Sequence, residues 1–393
     1  MLNLADYDMS PERGFLCRHN ANEVTLSDEL KIIGDVAMSL PDLLPTGRVR
    51  QLLRDRLPMI DLPLDTMHEA EARMCMVHYS FMVQAYVWGE PTAPEILPGN
   101  LAVPMVALAD HLGQQPLLPY SGYVLDNWGL IDPDKPVDLD NIYMIQNFLN
   151  GQDENWFVLI HVAIEAMAGA ALAKFGPIIS ASTAGDVATT RAHLEDVAAT
   201  WTKINAIFDR MPERCDPYIY FERVRPFIHG WKDNPAMPNG IIYEGVDRYG
   251  SEGQAFRGQT GSQSSIVPAM DALMGVGHAT DPLREYLDQL HIYRPPAHRR
   301  FIEDTREASG LRGFVERSGD QGLTQAYNAI IQAMADFRTR HLEYAASYIN
   351  KQNRAASGND IDVGTGGTPF MRYLKKHRDE TSARLIKSLS DAA

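Results

Sequence analysis

The sequence predicts an all-α protein. Apolar residues recur at steps of three and four along most of its 393 residues, alternating strand patterns are almost absent, and no internal repeat or low-complexity tract interrupts the periodic runs. In chain order, residues 26–44 read as an N-capped amphipathic helix and Gly47 to Leu57 as a short basic one. Leu64 to Gly89 carries a stripe of Met74, Val77, Phe81, Ala85 and Trp88, the pattern of core packing. Pro91, Pro94, Pro98 and Pro104 break the next stretch before a helical period resumes at Met105 to Leu112. Pro133 and Pro136, in an Asp-rich segment, read as a linker. A boundary is therefore placed near residue 135, between a small N-terminal helical domain (1–135) and a large C-terminal one (136–393). Beyond it, helices are predicted at Trp156 to Phe175, Thr183 to Arg210, Pro217 to Trp231, Ser264 to Gly275, Asp281 to Tyr293, Pro296 to Ser309 and Leu311 to Ser318. A long helix after Gly322 and a basic one from Pro369 to Leu389 complete the series. Gly250 to Gly261 reads as a mobile connection.

Composition narrows the function classes. Hydrophobic residues at 45% and charged residues at 22% are those of a soluble globular protein. A net charge of −15 argues against nucleic acid or an anionic membrane as partner, since both select basic surfaces. Cys17, Cys75 and Cys215 lie far apart with no CxxC, so neither a disulfide framework nor a structural zinc site is indicated, and a cytoplasmic setting is expected. The first ten residues lack the basic and apolar regions of a signal peptide, and the most apolar run, Trp156 to Leu172, is short for a bilayer span. The motifs HExxH, GxSxG, the P-loop and a helix-opening GxGxxG are all missing.

What remains is a set of polar residues on apolar faces. In the run Leu323, Tyr327, Ile330, Met334, Phe337, Tyr344 and Tyr348, the one missing slot is position 341, which holds a histidine. An imidazole facing inward needs a hydrogen-bond partner or a metal. His161 and Glu165 share a face of an otherwise apolar helix, so they either pair with core groups or line a pocket. Asp271 interrupts Ile266, Val267, Ala269, Met270, Leu273 and Met274, and needs a cation or an N–H donor; Arg338 and the His341 ring are candidates. Arg225 sits among Tyr220, Phe221, Pro226 and Phe227. It reads either as a snorkelling surface arginine or as a fork for a substrate carboxylate. The loop Gly364 to Thr368 is weak as a phosphate site and plausible as a lid.

Ordered motifs along almost the whole chain carry a resemblance. They are Leu40-Pro-Asp-Leu43, Ala85-Tyr-Val-Trp-Gly89, Leu97-Pro-Gly-Asn-Leu-Ala-Val-Pro104, Val124-Leu-Asp-Asn-Trp128, Phe227-Ile-His-Gly-Trp-Lys-Asp-Asn-Pro235, Tyr243-Glu-Gly245, Ser262-Gln-Ser-Ser265, Arg294-Pro-Pro-Ala-His-Arg299, Arg338-Thr-Arg-His341 and Gly364-Thr-Gly-Gly-Thr368. Together they resemble the indoleamine 2,3-dioxygenase family. The resemblance implies a two-domain helical haem dioxygenase, with haem b held by a single proximal histidine and the sixth position open for O2. His341 matches that ligand, and Asp271 and Arg338 match supporting positions on the proximal side. Arg225 matches the arginine that binds the substrate carboxylate, and Tyr220 and Phe221 match two phenylalanines beside it. Tyr120, Tyr123 and Phe157 match the lining of the indole pocket, where Tyr123 replaces a smaller side chain and is expected to alter the floor. Gly261 is placed with the substrate-binding residues, and Thr368 lies in a lid expected to close over the substrate amine.

One departure from the family pattern stands out. His161 falls where a serine is familiar in the animal enzymes, whereas the related tryptophan 2,3-dioxygenases place a histidine over the haem to bond the indole N–H. The same role is expected of His161. The implied reaction inserts O2 across the indole C2–C3 bond of L-tryptophan or a close indole, giving N-formylkynurenine, with the protein supplying orientation. An indole monooxygenase or a pyrrolnitrin-type ring rearrangement on the same fold is the alternative, for which Tyr123 and Pro226 are the relevant residues. A haem-dependent sensor without turnover is the second. No nucleic-acid or membrane partner is expected, and the expected state is monomeric.

Overall fold

A computed structural model describes residues 2–19, 21–277, 282–352, 365 and 370–387. Its helices are α1 (Lys31–Met38), α2 (Leu40–Leu43), α3 (Val49–Arg56), α4 (Glu69–Trp88), α5 (Gly99–Leu112), α6 (Gln152–Leu172), α7 (Phe175–Thr183), α8 (Val187–Asp209), α9 (Pro217–Ile219), α10 (Ile266–Met274), α11 (Pro282–His291), α12 (Pro296–Ala308), α13 (Leu311–Ser318), α14 (Gln321–Ala345) and α15 (Phe370–Ser382). The all-α expectation holds. Among the described residues, strands are confined to two small pairs. Parallel β1 (Ile96–Leu97) lies beside β4 (Ile242–Tyr243), and antiparallel β2 (Trp128–Leu130) beside β3 (Ile142–Met144). The Asp-rich segment around residue 135 connects β2 to β3. Asn141 holds it, its side-chain amide donating to the Asp132 and Pro136 carbonyls at 3.0 Å each.

Several boundaries differ from those predicted, each for a physical reason. Residues 26–44 form two short helices, and α1 begins without a side-chain cap, because Ser27 gives its carbonyl to the first turn instead. Pro104 sits inside α5, which starts five residues before it at Gly99. Pro104 is the sixth residue of α5, so its missing N–H leaves the Asn100 carbonyl without its intrahelical donor. The predicted helix Pro217 to Trp231 is α9 followed by a π-helical turn (Tyr220–Val224) and a 3-10 turn (Arg225–Ile228). The long helix α14 likewise runs into a π-helical turn at Ala346–Asn350.

Helices α4 and α6 form the centre of the molecule. From Cys75 to Val87 every residue of α4 is buried, so its Met and aromatic stripe is part of a helix enclosed on all sides. The segment Gln152–Thr183 is long and apolar enough to cross a membrane, but 72% of its most apolar window is buried within the protein. It is the core helix that α8 covers on one face. The N-terminal segment closes another face through glycines. A Cβ on Gly169 would lie 2.4 Å from the Pro11 carbonyl oxygen, and one on Gly14 would lie 2.0 Å from that of Glu165. Only hydrogen at both positions permits this approach. One apolar core runs from Leu4 to Tyr348, and the side chains discussed next lie at its centre.

Candidate active site

Three helices and two π-helical turns bring the polar residues together. Helix α14 presents Arg338 and, one turn on, His341; α10 presents Asp271. Arg338 Nη2 donates to Asp271 Oδ2 at 2.7 Å, answering which cation serves that buried carboxylate. The His341 ring makes no hydrogen bond to any described residue. Burial first, and then the neighbouring His161 ring and Arg338 guanidinium, push its pKa down to about 4, so the ring is neutral and keeps a lone pair to offer.

His161 comes from α6. Its Nδ1 lies 2.7 Å from the carbonyl oxygen of Phe157, one turn earlier. A carbonyl only accepts, so Nδ1 carries the proton and Nε2 is left as a bare acceptor. Burial lowers the ring's pKa and keeps it neutral. Phe157 packs against it at 4.7 Å between centroids, and Tyr120 meets it edge-on at 6.3 Å. The Tyr120 hydroxyl donates to Glu165 Oε1 at 2.9 Å, and burial raises the Glu165 carboxyl to about 7.

Two cavities meet here. The larger, of about 690 Å³, is walled by Tyr120, His161, Glu165, Asp271, Arg338 and His341 among others. The smaller, of about 140 Å³, is walled by Phe157, Tyr220, Arg225, Tyr344 and Tyr348, again with His161 and His341. Both histidines and Gly261 therefore belong to both cavities. A Cβ added at Gly261 would meet nothing within 4 Å, so that backbone borders open space. Arg225 is fully buried, with its guanidinium carbon 5.5 Å from the Phe221 ring, which rules out the snorkelling reading.

A profile of the indoleamine 2,3-dioxygenase family matches residues 3–384. The chain belongs to that family. Indoleamine 2,3-dioxygenase 2 of Homo sapiens is 32% identical to it, over 98% of this chain and 96% of the human one. Indoleamine 2,3-dioxygenase 1 of Rattus norvegicus is 31% identical over 98% and 96%, and indoleamine 2,3-dioxygenase of Saccharomyces cerevisiae 30% over 97% and 93%. As an indoleamine 2,3-dioxygenase family member, the chain is a haem-dependent oxidoreductase of the dioxygenase class.

Within this family member, not every predicted residue reaches a cavity wall. Tyr123 is completely buried behind Phe157, at 6.4 Å between centroids, and stacks on Phe81 at 5.7 Å; it borders neither cavity. Phe221 likewise backs Arg225 rather than facing the smaller cavity. Thr368 lies outside the described residues. Of its loop, Thr365 borders the smaller cavity, and its hydroxyl donates to the Gln259 carbonyl. Two residues that periodicity did not single out organise the wall. Gln263 accepts from the Tyr120 N–H at 2.9 Å and donates to the Gly258 carbonyl at 3.0 Å. Arg294 donates to the carbonyls of Ser264 at 3.0 Å and Ser262 at 2.7 Å, holding the turn that carries Gly261. Arg294 opens one of the motifs that carry the family resemblance, and Gln263 lies in another, but neither was given a site role.

Proposed function

We propose that this protein uses haem b to insert both atoms of O2 across the indole C2–C3 bond of L-tryptophan, releasing N-formylkynurenine. The observation that carries the reading is that His161 and His341, from two different helices, line both the larger and the smaller cavity. The residues suit a haem. His341 offers an uncommitted neutral imidazole, and Gly261 borders open space. Among the described residues no three His, Cys, Asp or Glu side chains cluster, so iron held here would need a ligand frame of its own around one protein imidazole. Asp271 and Arg338, paired beside His341, would set the electrostatics on that side.

A haem bound through His341 would supply the activation of O2. The chain's own residues orient the substrate. Arg225 pairs with the amino-acid carboxylate, and its burial makes that pairing strong by excluding water. His161 Nε2 accepts the indole N–H, a role for which the Phe157 carbonyl selects the tautomer. Phe157 supplies an aromatic face for the ring. Haem-loaded, reduced protein incubated with L-tryptophan and O2 should develop the absorbance of N-formylkynurenine. A different oxygenated product would move the reading to an indole monooxygenase or a ring rearrangement, and substrate-induced spectral change without product would move it to a sensor.

A further inference from the structure

Three tyrosines border the smaller cavity, and two have their hydroxyls committed. Tyr344 donates to the Phe208 carbonyl at 3.1 Å and Tyr348 to the Cys215 carbonyl at 2.7 Å. The third, Tyr220, has no hydrogen-bond partner among the described residues, although its side chain is only 8% exposed. Its oxygen is not sealed in the core either, as the partnerless hydroxyls of Tyr79 and Tyr123 are. A phenol hydroxyl that opens onto a cavity and has no protein partner is available to donate to whatever the cavity holds. Its ring is held by Phe157 at 4.7 Å and Tyr348 at 5.8 Å between centroids, so the hydroxyl is positioned rather than loose. It begins the π-helical turn whose C-terminal cap is Arg225, and that guanidinium is close enough to act on it electrostatically.

We infer that the Tyr220 hydroxyl is a second donor to the substrate carboxylate, acting beside Arg225 and setting the enzyme's preference for amino acids over simple indoles. This rests on the reading of an indole amino-acid substrate given above. A carboxylate accepts two or more hydrogen bonds, and an O–H donor to a charged oxygen is among the stronger kinds. Burial pushes the phenol up to about 12, against the pull of Arg225, so it remains a donor through the neutral range. The site would thus take planar anions next to an aromatic ring and discriminate against the corresponding amines.

The test compares Tyr220→Phe with the unmodified haem-loaded enzyme on L-tryptophan and on tryptamine, which lacks the carboxylate. The ratio of kcat/KM for L-tryptophan to that for tryptamine should fall roughly tenfold. Tyr348→Phe is the control: it lines the same cavity, but its hydroxyl serves a backbone carbonyl, so it should lower Tm and leave that ratio in place. Equal losses on both substrates, an unchanged ratio, or the same ratio change in both variants would overturn the inference. Equilibrium titrations of both ligands, followed by visible absorption, give the same ratio without turnover. If the unmodified enzyme binds L-tryptophan but forms no N-formylkynurenine, the proposed reaction fails while the binding ratio still decides the role of Tyr220.

Discussion

At the scale of single residues, the chemistry depends on which nitrogen and which oxygen are already committed. His161 spends Nδ1 on the Phe157 carbonyl and leaves Nε2 free to accept; His341 spends neither nitrogen on a described residue. In the proposed reading His161 accepts the indole N–H through Nε2 and His341 holds the iron. His161→Ala should therefore lower kcat/KM for L-tryptophan by about tenfold, the upper end for a neutral hydrogen bond. It should have a clearly smaller effect on 1-methyl-tryptophan, which has no N–H to offer. Steady-state kinetics with both substrates check this, and a loss of the same size for both would remove His161 from the N–H contact.

At the scale of elements, the π-helical turn recurs. Ser121–Leu125 is capped by Tyr120, Tyr220–Val224 leads into Arg225, and Ala346–Asn350 follows α14 and carries Tyr348. Each therefore contains or adjoins cavity-lining residues. A π turn inserts one residue per turn and shifts the side chains after it by about a third of a turn, a device that re-aims them at functional sites. Helix α6 is set differently, by contact at Gly169, two turns beyond His161. Alanine there would gain about 1 kcal/mol in helix propensity. Its Cβ would lie 2.4 Å from the Pro11 carbonyl oxygen, however, and no flexible side chain can yield at that contact. Overpacking of that kind costs about 1 to 3 kcal/mol, so Gly169→Ala should lower stability despite the better propensity. Urea unfolding midpoints measure the sign, and a stabilised variant would mean that the two segments can separate freely.

At the scale of the whole molecule, buried ionisable groups couple stability to pH. Burial lowers His78 to about 4 and His229 and His298 to about 3, and raises Glu154 and Glu165 to about 7. The signs oppose each other. As pH falls below 6.5 the unfolded chain protonates these histidines and the folded one does not, so their contribution is lost on acidification. Between about 7 and 4.5 the folded chain protonates the glutamates and the unfolded one does not, so theirs is gained. His341, lowered to about 4, and His161, also lowered by burial, join these three, so the histidines outnumber the two glutamates and stability falls from pH 6.5 to 4.5. Below 4.5 the glutamate gain ends and the decline steepens. Denaturant titrations of the haem-loaded protein at pH 7, 5.5 and 4.2 should show this two-slope fall, and stability rising on acidification would contradict it.

Some of this was legible in one dimension because it depends on local periodicity. The positions of α6, α8, α13 and α14 follow from apolar spacing, although α6 starts four residues earlier and α8 four residues later than predicted. So does the inward aim of His341, the one polar slot in its stripe, and so does the need of Asp271 for a cation or an N–H donor. Resemblance along the chain added the family. The pairing of Asp271 with Arg338 rather than with His341, the withdrawal of Tyr123 and Phe221 behind the cavity wall, and the free hydroxyl of Tyr220 were not legible. Neither were the π-helical turns, whose sequences satisfy an α-helical period equally well. Each is a choice among partners that are all chemically adequate, made by distance between segments up to 67 residues apart in the Arg338 to Asp271 pair. The sequence by itself determined which residues must leave water and which of those would need a partner. Only tertiary structure decided who the partner is, because a hydrogen bond or an ion pair acts over about 3 Å and no spacing along a chain encodes a distance across it.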